Sequence, residues 1–496
     1  KLVHVLPQTV EIGMKFSKIM VAVAAVAAGS SAFAGPNGAN IAFSTGASAT
    51  QVNLMTATPL QTASALAQLC TSAPTSGTYY VFGSGNQTTA VCGPAGMTEG
   101  NTGANSYGQL ADASFKVFAG TTFKELRLNV AAGSFSAVRG ANGNFTDDAG
   151  VALTFRDPKL AALRTRAQMV TDFGGAATAP VYVGGLMDVA PAGFTTGVLA
   201  GFNAPTTVAA VGIQQAFGVA VSTALYTEMF NSQKSSGAAT WDKPIPSSCL
   251  VTDTGNPSCV PTISKGQMAA IMSDTDTNAA YSNGANFLAS TLASGTELRY
   301  IRRPDTSGTQ ASAQNYFLGN PCSAVTNGVV AEPTGNDEVD TVNIGAAPFT
   351  SVVDLKDAQI NAIRVLLAPG TTDVRRELNK TTVEGGGTNY AIGVVSGENN
   401  QTSGVAFRWL RVQGAPMSEN AAPNSGQNNR QTVINGLYDF FFETVRVTPP
   451  TGAGAAGSFF GPVGNKLNTL TATGLVKAAD ALYGKGGDAC RFNTSN

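Results

Sequence analysis

The chain has 496 residues, 43% of them hydrophobic, and its 30 basic and 31 acidic side chains leave a formal net charge of −1. That balance excludes a nucleic-acid binder working through a basic surface, and it excludes an acidic disordered chain. The one histidine is His4, so removal of the leading segment would leave a chain with no Ser-His-Asp triad, no Cys-His pair and no His-ligated metal.

The first expected element is an export signal over Met14–Ala34. Lys15 and Lys18 supply the positive start, and Ile19 to Ala28 is an apolar run of ten. Ala32-Phe33-Ala34 supplies the small residues of a cleavage site, which makes Gly35 the expected mature N-terminus. Residues 1–13 read as an over-extended start. The apolar run is too short to cross a bilayer; the alternative is a short buried helix. Cleavage removes Lys1, Lys15, Lys18 and Glu11, leaving 27 basic and 30 acidic groups, net −3. No later segment reads as transmembrane, and the expected destination is the periplasm of a Gram-negative cell, or secretion.

Strands are expected at Ile41–Phe43, Leu126–Val130, Val181–Val183, Phe217–Val221, Leu298–Ile301, Tyr390–Val395 and Phe440–Val447, all short apolar runs between turn signals. Helices are expected at Gln310–Leu318 and Asp357–Leu367; in the second, Ala358, Ile360, Ile363, Val365 and Leu366 share one side. Residues 93–106, 232–240, 383–389, 396–404 and 414–430 are rich in Gly, Ser, Thr and Asn and read as loops. Strands alternating with helices imply an α/β fold with largely parallel sheets. The six cysteines (Cys70, Cys92, Cys249, Cys259, Cys322, Cys490) suit three disulfides in an oxidising compartment. Short loops favour Cys70–Cys92 and Cys249–Cys259, leaving Cys322 and Cys490. A metal site is the other reading, but no Cys-x-x-Cys occurs.

Four segments place small polar or acidic residues after expected strands, where open α/β sheets bind ligands. Arg302 to Gln310 carries the most chemistry. Ser307, Gly308 and Thr309 would open a helix whose free amides attract an anion. Arg303 would add a planar fork suited to a tetrahedral oxyanion, and Asp305 would pair with that fork. The plainer alternative is an ordinary Ser/Thr cap beside a surface arginine. Ser44 to Gln51 follows the first strand and has no Lys after its glycine, unlike nucleotide phosphate loops; it is a plain loop otherwise. Ala132 to Ser136 and Gly184 to Pro191 follow the next two, with Asp188 either a ligand group or a turn cap.

Taken in order, these segments resemble the substrate-binding proteins of phosphate ABC transporters and their DING-type secreted relatives. Gly46 to Thr50 stands for the family's Gly-Ala-Gly-Ala-Thr-like loop, with Ser48 at the central Gly. Gly133-Ser134-Phe135-Ser136 stands for its Gly-Ser-Ser-Gly-like turn, a place for which Gly83-Ser84-Gly85-Asn86 competes. Met187 to Pro191 stands for Ser-Asp-Ala-Pro, and Arg302 to Thr309 matches Arg-Arg-x-Asp-x-Ser-Gly-Thr. Further echoes are Ala391-Ile392-Gly393-Val394, Ile263 to Met272 and Leu410 to Asn420. Departures are Gln51 in place of an aromatic or Leu, Phe135 inside the Gly/Ser turn, and a long insertion between residues 140 and 180.

The resemblance implies a type II two-lobe periplasmic binding protein fold, with mixed, mostly parallel sheets and a hinge of crossing strands. Lobe one would be 35–215 with 396–496 and lobe two 216–395, the chain crossing at Phe217–Val221 and returning after Tyr390. Implied ligand groups are Thr50, Gln51, Ser134, Asp188, Arg303, Ser307, Gly308 and Thr309, with Asp305 in support. Asp188 would accept a proton from phosphate and repel sulfate. No cofactor or metal is called for. The implied partners are inorganic phosphate or a similar oxyanion and an ABC permease, with no nucleic acid, no stable membrane insertion and a monomeric state. Two other classes stay open: a secreted DING-like phosphatase, and a structural or surface protein that keeps the fold without the ligand.

Overall fold

The structure is a computed structural model that describes residues 35–48, 54–55, 64–70, 79–203, 207–235, 244–272, 298–322, 353–354, 363–383, 386–399, 406–417, 430–449, 453–467, 475–485, 487–490 and 494–495. The expected signal segment, with Thr50 and Gln51, lies outside them.

The strands, in chain order, are β1 Ile41–Gly46, β2 Tyr79–Ser84, β3 Gln87–Cys92, β4 Glu125–Asn129, β5 Thr154–Asp157, β6 Ala162–Thr165, β7 Val181–Met187, β8 Thr207–Val221 and β9 Thr262–Ile263. They continue as β10 Leu298–Arg302, β11 Val353–Asp354, β12 Ile363–Leu367, β13 Tyr390–Ser396, β14 Arg408–Trp409, β15 Arg411–Val412, β16 Phe441–Thr448 and β17 Leu475–Lys477. Thirteen of them form one continuous sheet.

At the heart of one half, β1 lies parallel to both β4 and β7. In the other half, β10 lies parallel to both β12 and β13. β1, β4 and β10 are buried along their whole length. The polar residues of β4 are buried with the rest, Arg127 pairing with Glu125 on its own strand and with Asp157 of β5. Antiparallel pairs occupy the edges, β2–β3 and β11–β12, and the place where the halves join.

The join is β8, fifteen residues long and so about 50 Å from end to end. Its first part pairs with β16, from Thr207↔Thr448 to Ala216↔Phe441. Its last part pairs with β13, from Phe217↔Ser396 to Val221↔Ile392. The change of partner falls between Ala216 and Phe217. A bulge lies opposite the step from Glu443 to Val445, and Gly212 takes it up at φ +77°, a conformation that an L side chain would strain. Phe217 sits between Phe440 and Phe442 at the crossing, and Tyr316 stacks on Phe440 with ring centres 4.3 Å apart. The two halves and their crossing strands form one mixed α/β fold around a continuous sheet.

One expected helix is corrected. Residues 363–367 of the predicted helix Asp357–Leu367 are strand β12, paired in register with β10 from Ile363↔Leu298 to Leu367↔Arg302; 357–362 lie outside the described residues. A short apolar run fits either period. Here an open edge of β10 and the break at Pro369-Gly370 decide for the strand. The loop expected from 232 also begins later, because the helix Thr223–Ser235 runs into it.

The disulfides are Cys70–Cys92, Cys249–Cys259 and Cys322–Cys490, the pairing that loop length favours. The third joins the segment after Tyr316 to the chain's C-terminal part, on the side where Tyr316 packs against the crossing strands. Among the described residues no helix is long and apolar enough to cross a membrane.

Candidate functional site

Three turns meet where the two halves face each other. The first, Ala132–Phe135, leaves the end of β4 and enters the short helix Ser136–Ala141. The second begins at Asp188, the residue after β7. The third, Arg303–Ser307, connects β10 to the helix Gly308–Ala313. Each follows a buried strand, so the sheet fixes where its first polar residue emerges.

Ser134 and Asp188 are paired. The Ser134 hydroxyl lies 3.0 Å from Asp188 Oδ2, and the Asp188 amide donates back to Ser134 Oγ at 3.3 Å. Gly308 closes on both. A Cβ on Gly308 would collide with Ser134 Oγ and stand 2.8 Å from Asp188 Oδ2, so only glycine lets the third turn come this near. The turns are also tied by their backbones, Phe135 N donating to Thr306 O at 3.1 Å. Ser134, Asp188, Ser307, Gly308 and Thr309 are all buried. The competing turn Gly83–Asn86 is the exposed tip of the β2–β3 hairpin. Phe135 does not intrude: it is fully buried and packs on Phe194 and Phe202.

Arg303 is only 9% exposed. Its NH1 donates to Thr371 Oγ1 at 2.9 Å, at the start of the helix Thr371–Asn379, while Nε has no hydrogen-bond partner. A buried guanidinium with a spare donor is an arrangement that a ligand oxygen completes. Burial pulls its pKa down to about 10 against the opposing pull of Asp373, Asp188 and Asp148. Asp305 is corrected here. Its carboxylate binds Arg302 rather than Arg303, and it also accepts from Gln314 Nε2 at 2.7 Å. Neighbouring residues leave the end of a strand on opposite sides, so the acid two places on meets the first arginine, not the second. It steadies the loop; Thr371 orients the Arg303 fork.

Asp188 is strongly perturbed. Burial raises its pKa to about 7 and nearby Glu398 adds to this, while the Ser134 hydrogen bond and Arg303 oppose it. Its Oδ1 has no partner. Glu398, which the sequence did not single out, lies just past β13. Its Oε1 accepts from Ser396 Oγ at 2.7 Å and its Oε2 from Gln215 Nε2 at 3.0 Å. Burial raises its pKa as well. Glu398 and the pair Thr371/Asp373 are distant in sequence from the three turns of the site. The only local signals were an acid directly after the return strand and a Gly-Thr-Thr-Asp helix start.

Beside Arg303 a cavity of about 470 Å³ opens between the halves. No family model matches the chain, and no curated protein matches it. One similar solved structure is described as a phosphate ABC transporter substrate-binding protein with bound phosphate from Clostridium perfringens. It is 10% identical with a TM-score of 0.27, over 53% of this chain and 65% of that one. The chain thus spans a little under two thirds of that protein's length.

Proposed function

We propose that the protein is an exported solute-binding protein that captures phosphate or a related tetrahedral oxyanion between its lobes, for uptake through an ABC permease. The lobes are residues 35–215 with 396–496, and 216–395. One observation carries the reading. Arg303 from one half, with a spare buried Nε, interacts electrostatically with Asp188 of the other, whose Oδ1 is also spare and which, with Ser134, closes on Gly308. A buried unpaired donor and a buried unpaired acceptor each cost free energy, on the order of 1–3 kcal/mol. An anion that accepts from Arg303 and donates its own proton to Asp188 relieves both. Monohydrogen phosphate does this; sulfate has no proton to give. Ser307, Gly308 and Thr309, with Thr50 and Gln51, complete the proposed ligand set, and Asp305 supports the loop through Arg302. The protein acts as a monomer, without a cofactor and without catalysis.

Isothermal titration of refolded, phosphate-stripped protein tests this. Phosphate should bind 1:1 and sulfate at least tenfold more weakly, and Arg303→Ala should abolish both. Absence of phosphate binding would overturn the reading. Turnover of a chromogenic phosphate ester that is lost in Ser134→Ala would replace it with a phosphatase.

A further inference from the structure

The cavity beside Arg303 is far larger than a bare oxyanion needs. Its 470 Å³ is about fifteen times one water's share of liquid volume, whereas a five-atom anion takes the room of roughly two or three waters. Its lining is also not that of a pure anion trap. Arg303 and Ser307 contribute the polar wall, and Ala132, Leu367 and Pro369 contribute an apolar one. Asp147 and Asp148, from the insertion between residues 140 and 180, add two carboxylates.

The two acids differ. Asp148 is spent within the protein: it pairs with Arg139 and accepts from the Thr306 hydroxyl, which fastens the insertion to the opposite loop. Asp147 uses only Oδ1, accepting the amides of Ala149 at 3.0 Å and Val151 at 2.8 Å. Its Oδ2 has no hydrogen bond from the described residues. One cavity is therefore lined by a buried guanidinium, an apolar wall and an aspartate with a carboxylate oxygen left over.

We infer that the cleft takes an organic oxyanion whose short tail ends in a cation: a phosphomonoester or phosphonate with a small aminoalkyl group. The anionic head lies on Arg303, the methylenes lie against Leu367 and Pro369, and the ammonium group faces Asp147. Charges placed this way select one orientation and reject tails ending in an acid. This rests on the oxyanion reading of the same site.

The test is titration of stripped protein with inorganic phosphate, 2-aminoethyl phosphate and propyl phosphate, the last two matched in size. The aminoethyl ester should bind about fivefold more tightly than the propyl ester. In Asp147→Asn that ratio should fall to about one; asparagine keeps the Oδ1 acceptor for the amides of Ala149 and Val151, so the turn persists. Phosphate binding with the two esters excluded, with equal ester affinities, or with a ratio that survives in Asp147→Asn would overturn the inference while leaving the oxyanion reading standing. If none of the three anions binds, both fall together.

Discussion

Gly308→Ala separates binding from folding. The glycine is the first residue of its helix, and its φ lies outside the left-handed region, so alanine suits the local backbone. Within the helix the change is neutral or favourable, by at most about 1 kcal/mol. The new methyl, however, would sit on Ser134 Oγ, 2.8 Å from Asp188 Oδ2 and 2.9 Å from Asp188 Cβ. Ordinary contacts of these atoms start near 3.5 Å, so the two turns must part by roughly 0.6 Å or more. Overpacking of this kind costs about 1–3 kcal/mol, which is a loss of about five- to 150-fold in the population with the turns in contact. Because the clash lies between lobes, the lobes can relieve it by opening. Thermal melting should therefore shift by no more than a few degrees, while the phosphate dissociation constant rises at least fivefold in titration. Unchanged affinity with unchanged melting would refute the view that the ligand is held where these turns touch. A large drop in melting temperature would show that the contact is core packing rather than a closing surface.

Three further outcomes are expected. Below about pH 7 Asp188 holds a proton it can donate, and above it the carboxylate only accepts; apparent sulfate affinity should then fall about tenfold per pH unit above 7, while phosphate, which brings its own proton, loses far less. Parallel titration profiles for the two anions would contradict this. Arg127 is buried between Glu125 at 2.6 Å and Asp157 at 3.0 Å, so Arg127→Met, which strands both acids, should cost about 3–5 kcal/mol in urea denaturation; a cost under 1 kcal/mol would show that the cluster is hydrated. Removing Cys322–Cys490, which spans 168 residues, should destabilise by about 2.5 kcal/mol more than removing Cys249–Cys259, which spans 10, and equal midpoint shifts would contradict the loop-entropy account.

The parts of the fold legible in the sequence are those dictated by burial on both faces. The runs at Val181, Phe217 and Tyr390 have no polar face to hide, so a buried strand is the natural reading, and each lies in the central sheet. Residues 363–367 failed that test because a five-residue apolar run carries too few turns to show a period, and its state was settled by the open edge of β10 far away in sequence. At the site, the turn after β10 could be found because strand, arginine, glycine and helix start occupy nine consecutive residues, Arg302 to Gln310. The partner of Asp305 could not, because it depends on which side of the strand end each arginine leaves. Glu398, Thr371 and the Asp147 turn were out of reach for the same reason: the crossing of β8 between β16 and β13 and the folding back of the insertion bring them in, and neither has a local pattern.

Diffraction from crystals grown without phosphate and soaked in arsenate would place the ligand directly. An anomalous arsenic peak within hydrogen-bonding reach of Arg303 Nε and Asp188 Oδ1 is the predicted result. A peak elsewhere, or an empty site in crystals whose lobes are free to close, would contradict it.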